Sequence, residues 1–562
     1  MQLHSGERTP VYTTMYFVSL ALLAASLPLS KFTMSIFEFS TLFFWLWHGV
    51  DTEFLKKYPS HSLLNPLNLF RFIGQVTRNI SVALIQKFVE FSRNKPAMVI
   101  ASLFFLHVIG LIYTTDFEYA LKDLRTKLPI FLLPLFIATG PRISTRIFYR
   151  ILAVFIAAVV GGSIYWLILF LKLPVADSRA VETHTSHIRY CLNAVYAVFI
   201  LLFFVFSRGN LKSGIKIVLT ITAIWLVAFM AYMNFTTGIL IFLIVGILML
   251  VFYTFKIKSL ILKTAALASI GIIILLPIYF IISVGYRYVH TPRADFSKLE
   301  KYTRNGNSYY HDTVNFKSKN GKWTGLYICE KELRQSWAQR SKQPIDSLDK
   351  MKQVTRYTLI TYLASKDLKK DANGVSQLTD QDIHNIENGI NRYDYNKLPG
   401  LRTQVEDFVT AYQRYVNLHD PNSSSMIQRF EYWRTSLLII KQHPFFGVGT
   451  GDLPMVFEEQ YIAMKSDLAP QNRLRSHNQY LSITIGFGIL GLAWFTWVML
   501  YPAIKTRNFN NYFFVIFWII FMVSMLTEDT IENQEGVTFF AMFTAMMILG
   551  REKEEPAESL SS

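Results

Sequence analysis

The sequence predicts an all-α polytopic membrane protein with about 12 transmembrane helices and a mainly helical external domain inserted between helices 9 and 10. Of its 562 residues, 52% are hydrophobic, 15% aromatic and only 17% charged, as expected for a chain whose solvent is largely lipid. Apolar stretches near the ~20 residues that cross a bilayer recur along the chain. The formal net charge is +17, and much of the basic charge lies in the short loops between these stretches.

Nine of the predicted helices precede the inserted domain and three follow it. The first apolar stretch ends in small residues, as a cleaved signal peptide does, but a second follows at once, so we interpret it as a retained helix. The predicted helices are 11–29, 32–50, 97–114, 128–140, 149–171, 188–206, 215–234, 237–255, 264–284, 480–502, 511–527 and 536–550.

The charge of the loops predicts the orientation of these helices. With the N-terminus in the cytoplasm, every predicted inner loop is net basic, as the positive-inside rule requires. The outer turn 527–536 contains no Lys or Arg, whereas the outer loop 115–127 contains both signs of charge and gives the weakest support. The inner loops are 51–96, 141–148, 207–214, 256–263 and 503–510.

A polar block at 285–479 is too long to be a simple connector between two helices. Residues 378–390 and 404–416 have the caps and apolar spacing of amphipathic helices. Residues 422–452 predict a helix lying in the membrane interface, which Pro444 ends. We therefore divide the chain into helices 1 to 9, an inserted domain, an interfacial helix with a polar loop, helices 10 to 12, and a disordered tail: 1–284, 285–421, 422–479, 480–550 and 551–562.

Several function classes lack the residues that they need. The two cysteines, Cys191 and Cys329, lie in an apolar and a polar segment, so no intramolecular disulfide is expected. No P-loop, G-x-S-x-G element or His/Cys cluster is present, which argues against an ATPase and a serine hydrolase. The basic loops show no nucleic-acid-binding motif.

Charged residues gather where helix 10 begins. Arg473, Arg475 and His477 immediately precede an almost purely apolar segment, although charge inside a membrane is costly. Such residues commonly anchor a helix by extending to the headgroups. The alternative is that they bind an anionic lipid head at the interface, and the local sequence leaves both interpretations open.

Three motifs in this region resemble the O-antigen ligase family, which transfers lipid-linked glycans and shares its architecture with O-antigen polymerases. The first is R-x-x-x-W, at Arg429 and Trp433, and the second is H-P-x-x-G-x-G-x-G over 443–451. The third is S-H-N-x-Y-L with two later glycines, over 476–492. The late stretch LTEDTIENQEGVTFFAMF at 526–543 is similar to Bacteroidetes-type members.

The resemblance implies a metal-independent enzyme of the bacterial inner membrane with no cofactor. Such an enzyme moves a glycan from undecaprenyl diphosphate to a sugar hydroxyl of lipid A–core on the periplasmic face. By position, His477 matches the family's essential histidine and Arg429 an essential arginine. A second family arginine usually stands in S-R-x-G, but here F-T-T-G places Thr236 at that point, and Arg189 is our candidate substitute.

The chemistry of this reaction explains why these residue types are needed. A leaving diphosphate gains negative charge, which guanidinium groups stabilise because they bind phosphate bidentately and stay charged. The attacking hydroxyl must lose a proton, and a histidine can accept it near neutral pH. We therefore expect His477, as base or acceptor-positioning group, and Arg429 to be catalytic, and Arg429, Arg189, Arg473 and Arg475 to bind the diphosphate.

Other nearby residues are expected to support this site. Asn478 and Trp433 belong to the motifs themselves, although Trp433 also fits an ordinary interfacial residue. Glu528, Asp529 and Glu532 form a carboxylate group in which Glu528 and Glu532 share a face if the segment is helical. These carboxylates can pair with the arginines, bind a divalent cation or remain solvated, and we favour pairing.

The nearest rival function is a polysaccharide polymerase, which uses the same donor and a second lipid-linked glycan as acceptor. A transporter or flippase is the rival from another class, and a binding protein or sensor is a third. Transporters place ionisable groups or broken helices near the middle of the bilayer. The middles of the apolar segments here are nearly free of charge, which favours chemistry at the interface.

Overall fold

The computed structural model describes residues 10–48, 50, 65–172, 185–207, 211–290, 294–313, 321–350, 353–394, 400–422 and 424–550. The chain forms two compact units. The first unit comprises the described residues of Met1–Phe252, Arg429–Ser466 and Pro470–Ser562, and the second those of Tyr253–Gln428 and Asp467–Ala469. The predicted disordered tail, and residues 51–64 of the first inner loop, lie outside the described residues.

The described residues are mainly helical, and β structure among them consists of isolated bridges. In chain order the helices are α1 (Pro10–Ser26), α2 (Lys31–Trp47), α3 (Pro66–Arg93), α4 (Lys95–Ile109), α5 (Phe117–Lys127), α6 (Pro129–Thr139), α7 (Thr145–Lys172), α8 (His187–Phe206), α9 (Ser213–Tyr232), α10 (Thr236–Phe255), α11 (Leu260–Val289), α12 (Glu330–Arg340), α13 (Thr355–Ser365), α14 (Ala372–Ser376), α15 (Asp380–Glu387), α16 (Gly400–Leu418), α17 (Ser425–Gln442), α18 (Leu453–Ala463), α19 (Gln479–Lys505), α20 (Tyr512–Ser524) and α21 (Gln534–Ala545).

All twelve predicted apolar segments are helical in the structure, which confirms the all-helical class. Among the described residues, seven helices are long and apolar enough to cross a membrane. They are Lys95–Tyr113, Thr145–Lys172, His187–Phe206, Ser213–Tyr232, Thr236–Phe255, Leu260–Val289 and Gln479–Lys505. The remaining five predicted segments are shorter helices, so the count of twelve membrane crossings stays a prediction. The protein is a multi-pass membrane protein.

The core of the first unit is built around α8. This helix buries all of its residues from Arg189 to Leu201, whereas a helix facing lipid leaves its apolar side chains exposed. Around it pack α7, α9 and α20, with an aromatic cluster that includes Tyr196, Phe517 and Phe543. Aromatic rings packed edge to face at 5 to 6 Å stabilise such a core beyond simple burial. The N-terminal end of α8 is thereby fixed, and Arg189 lies in its first turn.

Three helices lie in segments that the sequence analysis treated as loops or turns: α3, α5 and α18. The predicted inner loop 51–96 contains the 28-residue helix α3, whose apolar positions recur with helical spacing. Its C-terminal half packs on α2, where Lys87 donates to the Trp45 carbonyl and lies 4.3 Å from the centre of the Trp45 ring. The error arose because α3 carries enough polar residues to fall below the hydropathy of a membrane span.

The second unit contains α11 and most of the predicted inserted domain. Within it α16 packs along α11, and the Tyr288 and Thr410 hydroxyls lie 2.5 Å apart. The short helices α12 to α15 surround a small apolar core with Trp337 and Tyr362 at its centre. The predicted capped helix at 378–390 is α15, in which Thr379 and Asp382 form a reciprocal capping box.

The glycines of the H-P-x-x-G-x-G-x-G motif serve backbone geometry. The amides of Val448 and Gly449 donate to the Ile485 and Gly486 carbonyls of α19, at 2.9 Å each. Here α19 is interrupted by Gly488, whose φ of 64° is in the left-handed region. A Cβ at Gly447 would lie 2.4 Å from the Ile485 oxygen, which explains why this chain segment needs glycine. The motif loop therefore docks against a break in α19.

Candidate functional site

The candidate site is centred on the turn between α20 and α21, residues 525–533. This turn is not helical, so the condition under which Glu528 and Glu532 would share a helix face is not met. Instead its three carboxylates point to different partners: the side chains of Glu528 and Glu532 are 6% and 7% exposed, and Asp529 is buried. A buried carboxylate is costly unless it is paired and hydrogen-bonded, and each of the three has such partners.

Glu528 brings the two expected catalytic residues together. Its Oε1 lies 2.7 Å from Nη2 of Arg429, and its Oε2 lies 3.6 Å from Nδ1 of His477. Arg429 also donates through Nη1 to the Thr527 carbonyl. The guanidinium group and the imidazole thus lie on the two sides of one carboxylate, at the end of the apolar helices.

The local fold fixes the orientation of the His477 ring. His477 has a φ of 46°, a strained value for a residue other than glycine, and its ring stacks on Tyr432 with centroids 5.6 Å apart. Asn478 caps α19 by accepting from the Leu481 amide at 3.1 Å and donates to the Leu526 carbonyl at 2.9 Å. Tyr432 packs on the ring, and two hydrogen bonds hold the adjacent Asn478. The position of the ring is therefore fixed relative to the first turn of α19.

Residues on α17 and α19 brace the backbone just before the histidine. The Trp433 indole nitrogen donates to the Ser476 carbonyl at 3.1 Å. The hydroxyls of Ser476 and Ser482 both lie within 3.2 Å of Asp529 Oδ1 and are 2.6 Å apart. Trp433 and Asp529 therefore support the loop that carries His477.

Arg189 reaches the same turn from α8. Its Nη2 donates to the Asp529 carbonyl at 3.0 Å and its Nε donates to Asn533 at 3.2 Å. Its Nη1 is buried and has no hydrogen-bond partner among the described residues. An unsatisfied guanidinium nitrogen in such a place is uncommon and indicates a site for an anionic ligand or a water.

The first turns of α8 and α10 lie side by side. The His187 and Phe235 rings are 5.8 Å apart, and a Cβ at Gly238 would lie 2.9 Å from the Cβ of Cys191. Thr236 therefore begins a helix next to the one that carries Arg189. Arg189 can substitute for the family arginine expected at Thr236 only if the two positions are close, and the two helix starts meet that condition.

Arg475 belongs to a second, deeper charge cluster. It lies 3.5 Å from Glu532 and donates to the Tyr119 hydroxyl at 3.0 Å. Lys127, only 1% exposed, pairs with the same Glu532 at 2.9 Å and with Asp123 at 2.5 Å. These residues line a small cavity together with His107. Because Gln479 also donates to Glu532 at 2.8 Å, the cluster ties α5 to the start of α19.

Sequence reasoning missed Tyr119, Asp123 and Lys127. They were assigned to the outer loop whose mixed charge gave the weakest topology signal. The available signal was the i, i+4 spacing of Asp123 and Lys127, which places an ion pair on one face of a helix. The third member of this cluster, Glu532, lies some 400 positions away, and the local sequence does not predict its contact with Lys127.

Electrostatics keep the paired carboxylates ionised. Burial raises the pKa of Glu528, but the adjacent His477 nitrogen and the Arg429 charge outweigh it and lower the pKa below its usual value. Burial likewise opposes ionisation of Glu532, and the charges of Lys127 and Arg475 lower its pKa strongly. Burial lowers the pKa of Arg475, but the negative charge of Glu532 outweighs it and raises that pKa above its usual value. The site is therefore a set of compensated charges rather than a free cationic patch.

Arg473 lies apart from these groups. Its guanidinium pairs with Glu458 of α18 at 2.5 Å, where Glu458 is 49% exposed. Arg473 therefore pairs with a half-exposed carboxylate of α18, whereas Arg189, Arg429 and Arg475 all contact the 525–533 turn. Of the four arginines expected to bind diphosphate, the structure thus brings three to one turn.

The carboxylates of the site are paired rather than clustered for a metal. Among the described residues, no group of three or more His, Cys, Asp or Glu side chains is arranged to hold a metal ion. The pairing of Glu528 with Arg429 and of Glu532 with Arg475 and Lys127 is the arrangement that the sequence analysis favoured.

Comparison with known proteins confirms the family resemblance. The family model described as O-antigen ligase matches residues 383–496. This match contains Arg429, the glycine motif and His477, and it ends before the 525–533 turn. No curated protein matches the chain. The similarity supports a glycan-transferring function of the ligase and polymerase type.

Proposed function

We propose, on the premise that residues 383–496 assign the chain to the O-antigen ligase family, that it transfers a glycan from undecaprenyl diphosphate to a sugar hydroxyl of lipid A–core. The observation that carries the proposal is the placement of Arg429 and His477 on opposite sides of Glu528, at 2.7 and 3.6 Å. The Arg429 cation can stabilise the leaving diphosphate, and the His477 ring can accept the proton of the attacking hydroxyl. Both groups lie next to the Glu528 carboxylate.

The donor's diphosphate binds to the arginines that contact the 525–533 turn. Arg429 has five N–H donors, and in the structure it donates to the Thr527 carbonyl and to Glu528. Arg189 contributes its unpaired Nη1, and it compensates for Thr236 in the family's other arginine position. Arg475 assists through its charge. The isoprenoid tail stays in lipid while the head group rests at the ends of the helices.

His477 acts as the base for the acceptor. As the acceptor oxygen attacks the anomeric carbon, the hydroxyl proton passes to the imidazole, and the bond from that carbon to the diphosphate oxygen breaks with its electron pair. The arginines stabilise the charge that the leaving diphosphate gains. Direct attack inverts the anomeric centre. Neither a metal nor a cofactor takes part in the proposed steps.

The site faces the periplasm in this proposal, and the enzyme lies in the bacterial inner membrane. The segments predicted to end on the outer side converge in the first unit: α5, the start of α8 and the 525–533 turn meet around the site. Segments predicted to be inner also meet, since Arg142 donates to the Leu549 carbonyl at 2.8 Å. Predicted outer ends thus contact outer ends, and predicted inner ends contact inner ends. This supports placing the charged residues of the site at the outer surface of the membrane.

A reconstitution experiment tests the reaction. Purified protein is incubated with undecaprenyl-diphosphate glycan and either lipid A–core or a second lipid-linked glycan, and the products are separated by mass. We expect ligated lipid A–core. Chain lengthening with the second acceptor instead assigns the protein as a polymerase. Absence of product with both acceptors contradicts glycan transfer, and the transport alternative is then tested by donor movement across proteoliposomes.

A further inference from the structure

Glu528 contacts both groups that the proposed function assigns to donor and acceptor. Its carboxylate is 6% exposed on the side-chain scale, with Oε1 at hydrogen-bond distance from Arg429 and Oε2 at 3.6 Å from His477, just beyond it. In the structure this carboxylate is therefore committed to Arg429. The charged and titratable groups facing it are Arg429 and Tyr432 of α17, Arg189 of α8, Asp529 of its own turn and His477.

The imidazole is oriented so that only one of its nitrogens faces Glu528. Nδ1 of His477 is buried and has no hydrogen-bond partner among the described residues, although the side chain is 32% exposed. Stacking on Tyr432 prevents the ring from turning freely. A carboxylate movement of roughly half an ångström would close a hydrogen bond to Nδ1. Nε2 would then be the nitrogen left for a substrate hydroxyl.

We propose that Glu528 is a positioning residue that changes partner when the donor binds: it pairs with Arg429 in the empty site and with His477 once a polyprenyl diphosphate occupies Arg429. This inference rests on the proposed function. A diphosphate competes for the guanidinium because both anions bind it bidentately, and it repels the released carboxylate. The carboxylate then holds the proton of His477 on Nδ1, so that Nε2 accepts the hydroxyl proton, and it stabilises the imidazolium that forms.

The exchange makes the base strong only when a donor is present. In the empty site Arg429 and Glu528 neutralise each other, so His477 has no committed carboxylate. With the donor bound, the same carboxylate serves the histidine and the arginine serves the leaving group.

A binding experiment tests the competition without relying on turnover. The affinity of geranyl diphosphate, a short soluble polyprenyl diphosphate, is measured for the full-length wild type, for Glu528→Gln and for the control Glu459→Gln, an exposed glutamate of α18. We expect Glu528→Gln to bind the probe roughly three- to tenfold more tightly, because no carboxylate competes for Arg429. The control should match the wild type. Equal or weaker binding by Glu528→Gln overturns the proposal.

A kinetic experiment tests the link to His477. In Glu528→Gln we expect kcat to fall about tenfold or more, the donor KM not to rise, and the acid limb of kcat to move to lower pH by roughly 0.5 to 1 unit, because the imidazolium loses its carboxylate. An unmoved limb, or a raised donor KM with kcat unchanged, overturns the inference.

Two provisions separate the possible failures. If Glu528→Gln does not purify in folded form, Glu528→Asp replaces it, since the shorter side chain keeps its charge but cannot serve both partners. It should bind the probe at least as tightly as the wild type and turn over more slowly, and weaker binding overturns the proposal. If wild type transfers glycan to neither acceptor, the proposed function fails, while the affinity comparison still decides whether Glu528 competes for Arg429.

Discussion

Individual side chains decide the chemistry of this protein, and each of them is defined by what it contacts. Arg473 and Arg475 are two positions apart in the sequence, yet Arg475 lies in the buried cluster with Glu532 and Arg473 pairs with Glu458 near solvent. A surface ion pair of the second kind contributes little to stability, about 0 to 1 kcal/mol. We therefore expect the two arginines to have very different effects when they are replaced.

The arginine comparison is a direct test at this scale. Arg475→Gln leaves Glu532 without one of its two cationic partners, so we expect transfer activity and thermal stability both to fall. Arg473→Gln should retain at least about half of the wild-type activity, since it breaks the pair with the half-exposed Glu458, away from the 525–533 turn. Activity of both variants is measured in the reconstituted assay, and equal losses would contradict the assignment.

His477 is expected to carry the proton transfer. His477→Gln should lower kcat roughly 10²- to 10⁴-fold, because glutamine keeps the polar contact but cannot accept the proton. The measurement is kcat in detergent, with folded protein confirmed by size-exclusion elution and melting temperature. His443→Gln, at the exposed end of α17, is the matched control and should remain active. Near-normal turnover of His477→Gln would remove the histidine from its role.

Acid should destabilise the protein through Glu532. A carboxylate whose pKa is lowered on folding stabilises the protein fully above its usual pKa of about 4.5, and that contribution is lost as the pH falls towards its folded pKa. We expect the wild-type melting temperature to fall as the pH drops below about 4.5. Glu532→Gln should be less stable at pH 7, by roughly 3–5 kcal/mol, and less sensitive to acid.

The exposed Glu459→Gln variant controls for this measurement, since it should follow the wild type at every pH. If Glu532→Gln showed the same acid sensitivity as the wild type, another group would be responsible for it.

At the scale of elements, the glycine motif at 443–451 docks against the break in α19, the helix that the S-H-N motif begins. At the interruption of α19, the Val448 and Gly449 amides donate to the Ile485 and Gly486 carbonyls, and the Pro444 carbonyl accepts from the Ile489 amide. Backbone carbonyls inside a membrane helix need such partners because lipid offers none. The glycine motif therefore satisfies α19 and places its first turn, with His477 just before it.

Replacing Gly447 should disturb this junction. Gly447→Ala adds a Cβ 2.4 Å from the Ile485 oxygen at a φ of 70°, so the loop or α19 must move. We expect a loss of at least about 2 kcal/mol in stability and a loss of activity, measured by thermal unfolding and by transfer. Gly161→Ala is the matched control, since its added Cβ meets nothing within 4 Å, and it should be neutral or stabilising.

The helix α5 joins the site through Lys127. Lys127→Met takes the cation away from Asp123 and leaves Glu532 with Arg475 alone, and removing one partner of a buried ion pair costs about 3–5 kcal/mol. We expect a lower melting temperature together with reduced transfer, since Glu532 also holds Gln479. Lys122→Met, on the exposed face of the same helix, should behave like the wild type. Equal effects of the two variants would show that α5 acts only as a surface helix.

At the scale of the whole molecule, the proposal requires one face of the membrane to contain the site. Both cysteines are buried, so cysteine labelling has a low background. We expect Glu459→Cys, near the site level, to react with a membrane-impermeant maleimide in right-side-out vesicles, and Asn510→Cys, between α19 and α20, to react only in inverted vesicles. The reverse pattern would place the site in the cytoplasm.

Much of the architecture followed from local sequence properties. Hydropathy located all twelve apolar helices, because a membrane helix must satisfy its backbone internally and cover it with apolar side chains. Helical periodicity and caps located α15, α16 and α17 in the polar part of the chain. The helices α3 and α5 were missed because their mixed polarity lies between the signals of a membrane span and of a loop.

The sequence by itself determined that the protein is helical and membrane-embedded, that it resembles the O-antigen ligases, and that Arg429 and His477 belong to one motif set. Only the tertiary structure decided which charge meets which. Glu528 lies about a hundred positions from Arg429, and Lys127 about four hundred from Glu532. Pairing over such separations depends on how the helix ends converge, and a buried charge is stable only where that convergence supplies its partner.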